Sequence, residues 1–261
     1  MNFKTSLAIQ NLTLYKNKIK ILDDISLELK EGNLISIIGP TGAGKTSLLR
    51  TILQFEKIND GSIRIFQKDM KKLKLNELAK NISFVHQSSF LPVGLLVNKY
   101  VLFGRNPHLG FFDTESKIDY KIVEQALKKV DSLQFIDREL TTLSGGEQRL
   151  IIIARAIAQQ TPIMVLDEPA ANLDFALSAK IMNILKNIAV KERKTVLIAT
   201  HDVNNAIRFS DYMCLLKHGR IIKQGTPSEV MNNENIMDLY GASAQITKDI
   251  DGNTIVSTKY N

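Results

Sequence analysis

One stretch limits the folds open to this 261-residue chain more than any other. The short run Leu34-Ile35-Ser36-Ile37-Ile38 leads straight into Gly39-Pro40-Thr41-Gly42-Ala43-Gly44-Lys45-Thr46. An apolar run bounded by glycine and proline suits a β-strand covered on both faces, as in a parallel sheet. The spacing G-x-x-x-x-G-K-T then predicts a turn and a helix from Gly44 to about Leu53. Glycines let the backbone aim its amides inward, and the helix start turns its dipole and unpaired N–H groups toward the same point. Gly39, Pro40, Thr41, Gly42, Ala43 and Gly44 would thus line a receptacle for phosphate oxygens. Lys45 would reach the terminal phosphates, and the Thr46 hydroxyl is suited to Mg2+. A plain glycine-rich turn is the alternative, and the strand–helix setting weighs against it.

The rest of the chain fits around that unit. Residues 5–30 alternate, as in Leu7-Ala8-Ile9-Gln10 and Ile25-Ser26-Leu27-Glu28, which predicts antiparallel strands with one wet face. A turn is expected at Asn59-Asp60-Gly61, with strands near Ser62–Phe66 and Ile82–Gln87. Ile118, Ile122, Ala126 and Val130 predict a helix over 114–130 with that stripe buried. A further helix begins at Ser144, and Ile163–Leu166 reads as a second doubly buried strand. A helix around Leu177–Val190 leads to a third such strand, Thr195–Thr200. Strand–helix alternation on either side of residues 89–155 argues for a parallel sheet into which a helical lobe is inserted. After Ser210, two strands are expected around His218-Gly219, short helices near Pro227, and a hairpin around Asp251-Gly252-Asn253.

Composition narrows the class. The chain is 44% hydrophobic and 23% charged, which excludes disordered and collagen-like proteins. Cys214 is the one cysteine, so no intrachain disulfide forms and a reducing compartment is expected. No run reaches the roughly 20 apolar residues of a membrane span, and the N-terminal residues lack the apolar core of a signal peptide. The formal charge of +7 suits nucleic acid or an anionic membrane surface. A lysine-rich solvated surface is the favoured reading, because the lysines are scattered and form no block of like charge.

Two more motifs carry chemistry. Ile163-Met164-Val165-Leu166 is followed by Asp167-Glu168-Pro169, and ligand chemistry in open parallel sheets gathers at the carboxyl ends of strands. Asp167 is the candidate Mg2+ ligand, and Glu168 the candidate that orients or deprotonates an attacking water. Acids that merely end a strand are the alternative. Leu143-Ser144-Gly145-Gly146-Glu147-Gln148 opens a helix, and Ser144 with Glu147 forms an S-x-x-E capping box. Two bare glycines at a helix start also make an anion site. The two readings are compatible.

These three motifs together resemble the ATP-binding subunit of an ABC transporter, over about residues 5 to 240. The resemblance implies the α/β fold of a P-loop NTPase: a RecA-like core with a mostly parallel sheet, an N-terminal antiparallel β-subdomain and an inserted helical subdomain. It divides a single domain, 1–261, into core and β-subdomain (1–88 and 156–240), helical subdomain (89–155) and a short C-terminal extension (241–261). It implies ATP and Mg2+, with Thr46, Gln87 and Asp167 around the metal. Glu168, His201 and Gln87 become the expected catalytic residues, His201 as a switch on the γ-phosphate and Gln87 as a sensor of metal and water. Tyr15 is expected to stack on adenine. Ala171-Asn172-Leu173-Asp174 resembles the loop that touches the opposite subunit, and Asp174 is grouped with the nucleotide-holding residues Gly39–Thr46, Ser144, Gly145 and Gly146. Ala170 and Ala171 stand where many members carry hydroxyls, and His86 where a proline is frequent. Neither departure removes a phosphate or metal ligand.

The resemblance also implies an assembly. Two copies would sandwich two ATP molecules, with Ser144 and Gly146 of one completing the site of the other. Two membrane-spanning permease subunits, and indirectly an extracytoplasmic substrate-binding protein, would complete it at the cytoplasmic face of the inner membrane. No nucleic-acid partner is expected. The apolar loop Ser88–Val97 reads either as local packing or as a groove for a cytoplasmic helix of the permease. Gly104-Arg105-Asn106-Pro107-His108 resembles a stretch of the importers of iron–siderophore complexes, haem or cobalamin. The alternatives are another importer or exporter class, or a non-transport ATPase of the same family acting on nucleic acid or the ribosome.

Overall fold

The computed structural model describes residues 4–87, 91–110, 112–250 and 252–258. In chain order the first elements are β1 (Thr5–Lys16), β2 (Ile19–Lys30), β3 (Leu34–Ile38), α1 (Lys45–Ile52), β4 (Asp60–Ile65) and β5 (Lys68–Asp69). Then come α2 (Leu75–Asn81), β6 (Ile82–Val85), α3 (Val97–Leu102), α4 (Lys117–Lys129), α5 (Gly145–Ala158) and β7 (Ile163–Asp167). The remainder is α6 (Phe175–Lys191), β8 (Thr195–Thr200), α7 (Val203–Phe209), β9 (Tyr212–Lys217), β10 (Arg220–Gly225), α8 (Pro227–Val230), α9 (Asn233–Tyr240), β11 (Ala244–Lys248) and β12 (Thr254–Thr258). No helix among the described residues is long and apolar enough to cross a membrane. The chain forms two compact units, one of residues 1–73 and 185–261, the other of residues 74–184.

In the first unit, β1 pairs antiparallel with β2 and with β4, and β4 pairs with the short β5. The alternation read from residues 5–30 is realised: Leu22, Ile25, Leu27 and Leu29 of β2 are buried while Ser26, Glu28 and Lys30 are exposed. The other strands of this unit are parallel at their centre, with β3 between β8 and β9, and β10 folds back antiparallel on β9. Every residue of β3 and β8 is buried. This is the environment their mainly apolar runs require. Ile38, at the end of β3, joins Ala206, Met213, Leu215 and Val230 in one core cluster. The hairpin of β11 and β12 packs there through Val256. Its backbone is also latched to α7, since Asn204 Nδ2 donates to Val256 O at 3.1 Å and Asn204 Oδ1 accepts from Val256 N at 2.9 Å. Asp251, in the expected hairpin turn, lies outside the described residues.

In the second unit, β6 and β7 pair in parallel, and α5 packs against α3 and α4. α5 is buried along most of its length, from Arg149 to Ala158. Three sequence expectations need correction. β6 stops at Val85 and does not reach Gln87. Asp60 and Gly61 already belong to β4, where Asp60 pairs with Thr13 of β1, and are not a turn before it. α4 starts at Lys117, after a Ser116–Asp119 capping box, and buries Asp119, Val123, Ala126 and Leu127. Ile118, assigned to the buried stripe, is 71% exposed. The displacement has a physical cause: the helix turns an acid inward because a buried arginine meets it there.

Candidate functional site

The phosphate loop lies in the first unit. Gly44 caps α1 at φ +106°, a backbone angle that side chains rarely tolerate. A Cβ on Gly39 would strike the Leu216 carbonyl, so β9 passes too close for any side chain there. The loop is tied further by Ala43 N donating to Pro40 O at 3.2 Å and Gly219 N donating to Ala43 O at 2.9 Å. Lys45 is buried, and its ammonium donates to Gly39 O at 2.6 Å and to Pro40 O at 3.1 Å. Thr46 sits exposed in the first turn of α1.

Tyr15 and His201 belong to the same unit. Tyr15 is 42% exposed; its N–H is held by Asn59 Oδ1 at 2.8 Å, and the Lys20 ammonium lies 5.7 Å from its ring centre. His201 is exposed immediately after β8. The next residue, Asp202, caps α7 by accepting from Asn205 N at 2.9 Å. The exposed ring beside the strand end sets His201 apart from a core histidine.

The acidic pair and the serine–glycine motif lie in the second unit. Asp167 closes β7 and is buried, as is Glu168. Glu168 adopts a left-handed backbone with φ +48°, strained for a residue with a side chain, and its carbonyl accepts from Ala171 N at 3.3 Å. Asp174 Oδ1 caps the start of α6 by accepting from Leu177 N at 2.9 Å. Ser144 caps α5 with the box read from the sequence: Ser144 N donates to Glu147 Oε2 at 2.7 Å, and Ser144 Oγ accepts from Glu147 N at 3.3 Å. The Ser144 amide and hydroxyl hold the Glu147 carboxyl below its ordinary range.

The two glycines differ. A Cβ on Gly146 would strike Leu177 of α6, whereas a Cβ on Gly145 would meet nothing within 4 Å. Gly146 is thus covered by the tip of the Leu177 side chain, and Gly145 leaves open room at the helix start. A cavity of about 340 Å³ brings together Gln87, Gly145, Gly146, Arg149 and Asn172.

Two arginines have roles that the sequence did not indicate. Arg149 is buried on α5 and donates from all three nitrogens: Nε to Pro169 O at 2.8 Å, one terminal nitrogen to His86 O at 2.8 Å and Gln87 O at 3.3 Å, the other to Asp167 O at 3.3 Å and Glu168 O at 2.8 Å. Burial pulls its guanidinium below the ordinary value, and the negative charges of Asp167 and Glu168 oppose that. Arg105 explains the pentapeptide Gly104–His108. It pairs with Asp119 at 2.9 Å and donates to Ala158 O at 2.8 Å, while His108 Nε2 lies 2.8 Å from Gln159 O. A Cβ on Gly104 would strike the Arg155 carbonyl. The segment satisfies the carbonyl end of α5, whose other end carries Ser144. Arg105 was marked only by its place in the pentapeptide, and Arg149, just past the serine–glycine motif, had no signal of its own. Of the apolar loop, Ser88, Ser89 and Phe90 lie outside the described residues, and Val93 is exposed.

Comparison with known proteins now gives the family. The model of the family described as ABC transporter matches residues 22–171. The iron(3+)-hydroxamate import ATP-binding protein FhuC of Bacillus subtilis is 32% identical over 98% of this chain and 95% of its own length. The petrobactin import ATP-binding protein YclP of the same organism is 35% identical over 89% of this chain and 91% of its own. Among solved structures, an ABC transporter assigned to the metal-chelate type, in an inward-facing conformation, superposes with a TM-score of 0.87, 27% identity and 98% coverage of both chains. The cassette MJ0796, solved as a dimer in a post-hydrolysis state with ADP and Pi, gives a TM-score of 0.74 at 31% identity, over 85% of this chain and 98% of that one. With a phosphate loop after a doubly buried strand, in a P-loop NTPase fold, the chain belongs to the ABC transporter family and is an ATP-binding, ATP-hydrolysing subunit of it.

Proposed function

We propose that the chain powers import of an iron chelate through a membrane permease, as a pair of identical ATPase subunits on the cytoplasmic face of the inner membrane. The observation that carries this reading is end-to-end similarity to an iron(3+)-hydroxamate import subunit, covering 98% of this chain. The dimeric state of MJ0796 supports the pairing. In this reading residues 1–261 work as one ABC ATPase domain, served indirectly by an extracytoplasmic binding protein. A siderophore complex is the favoured cargo; haem and cobalamin are the alternatives.

The site residues take roles that suit their surroundings. The loop Gly39–Thr46 holds the phosphates through its amides, Lys45 neutralises the terminal ones, and Tyr15 offers an exposed ring to the adenine. Thr46, Gln87 and Asp167 are hard oxygen donors, the type Mg2+ takes alongside phosphate. When bound, the metal would neutralise charge on the phosphates. Glu168 orients and deprotonates the attacking water, and His201 contacts the γ-phosphate. Ser144, Gly145 and Gly146 of a second copy close the site, and the open room at Gly145 suits that use; Asp174 lies near the same interface. Catalysis is then mainly positioning and charge stabilisation. ATP shifts the pair toward its closed state only by differential affinity, and the γ-phosphate makes the difference.

The test is uptake of labelled iron–siderophore, haem and cobalamin in cells with and without the gene. Loss of siderophore uptake alone is expected. Loss of none would remove the importer reading.

A further inference from the structure

We propose that Arg149 is a positioning residue for ATP hydrolysis, holding the backbone of Gln87 and Glu168 in place from the helix that begins at Ser144. The inference rests on the roles proposed above for Gln87 and Glu168. The observation is how the guanidinium spends its donors. Its three nitrogens bond to five carbonyls, those of His86 and Gln87 on one segment and of Asp167, Glu168 and Pro169 on another. None of these bonds goes to its own helix. A cation needed only to fill the interior is commonly replaced by an apolar side chain without loss. Here the fork joins two loops that have no ladder between their ends, since β6 and β7 stop pairing at Val85 and Leu166.

The backbone of Glu168 gives the second reason. It sits at φ +48°, and such a conformation persists only where the surroundings over-determine it. The bond from Arg149 to Glu168 O, at 2.8 Å, is shorter than the turn bond from Ala171 N at 3.3 Å. Arg149 also lines the cavity shared by Gln87 and Gly145. Lysine keeps the charge but offers one nitrogen, so it cannot span both segments.

The experiment compares Arg149→Lys, Arg149→Gln and Glu168→Gln in the full chain. ATPase kinetics, ATP titration, thermal unfolding and amide hydrogen exchange are measured on each. Both Arg149 variants are expected to lose at least about tenfold in kcat, with KM and ATP affinity within about twofold. Exchange at the Ala171 amide should rise while amides inside α5 stay protected. Wild-type kcat in both variants overturns the proposal. So does a fall in kcat matched by weaker ATP binding and by faster exchange throughout the unit, which would mark a purely structural residue. Should Glu168→Gln hydrolyse ATP at the wild-type rate, the underlying role of Glu168 fails instead, a separate outcome.

Discussion

The Arg105 guanidinium meets the Asp119 carboxylate at 2.9 Å, with both side chains over nine-tenths buried. The pair joins the segment after α3 to the first turn of α4, and Arg105 also reaches the last carbonyl of α5. Removing one partner leaves the other charge buried alone. Asp119→Asn should therefore destabilise the chain by about 3 kcal/mol, read as a lower midpoint in urea unfolding. Replacing both residues, Arg105→Met with Asp119→Leu, should cost less than the single change.

The same carboxylate sets an acid limit. Hydrogen bonds from Ser116, then Arg105, hold Asp119 down to about 2 from its ordinary 3.8. A depressed folded value stabilises the protein fully above about pH 4, and that stabilisation fades as pH falls toward 2. Stability curves of the wild type and Asp119→Asn should converge over this window. Parallel curves from pH 5 to pH 2 would remove Asp119 as the cause.

Lys45 and Glu168 should separate binding from chemistry. Lys45→Ala removes the cation of the phosphate loop and should weaken ATP binding by tenfold or more, roughly one charge-assisted contact, measured by nucleotide titration. Glu168→Gln keeps the shape but removes the carboxylate proposed as the base. It should bind ATP with unchanged affinity, hydrolyse it about 100-fold more slowly, and accumulate as a dimer in size-exclusion chromatography with ATP.

The glycines beside Ser144 should behave in opposite ways. Gly146→Ala pushes the Leu177 side chain to another rotamer and should cost up to about 1 kcal/mol. Gly145→Ala meets open space and gains helix propensity, so stability should hold or rise by about 0.5 kcal/mol. Its ATPase activity should nevertheless drop, because the lost room lies where a second copy's nucleotide would sit. Unfolding midpoints and turnover, measured on the same samples, decide both.

Cys214 should be inert. It is buried in β9, and burial pushes its thiol up to about 12. The thiolate is the reactive form. Iodoacetamide at pH 8 should leave the folded chain unmodified by mass spectrometry and label it in denaturant.

The strands that carry the site were the most legible part of the chain. Leu34–Ile38 and Thr195–Thr200 are mainly apolar runs, and burial of their apolar residues follows from composition. Ser36 and Thr195 are buried with hydroxyl partners in Ser210 and Ser6. The Ser144–Glu147 box and the helix after Gly44 were equally readable, because capping and glycine chemistry are local. Failures arose where tertiary partners override local pattern. A hydrophobic stripe cannot anticipate that Asp119 is turned inward and Ile118 outward, since the deciding group, Arg105, is fourteen residues away in sequence. Nor does any local signal show that Glu168 adopts a left-handed backbone, or that Arg149 reaches segments sixty and twenty residues distant.

The grip of Lys45 on Gly39 O and Pro40 O has a last consequence for selectivity. Because Lys45 is buried, the phosphate contact proposed for it would form with little competing water. The advantage of that contact grows with the negative charge of the guest, and a molecule ending in a neutral hydroxyl gains nothing from it. If Lys45 takes the role proposed for it, discrimination between triphosphates and uncharged nucleosides would begin in the resting shape of the loop.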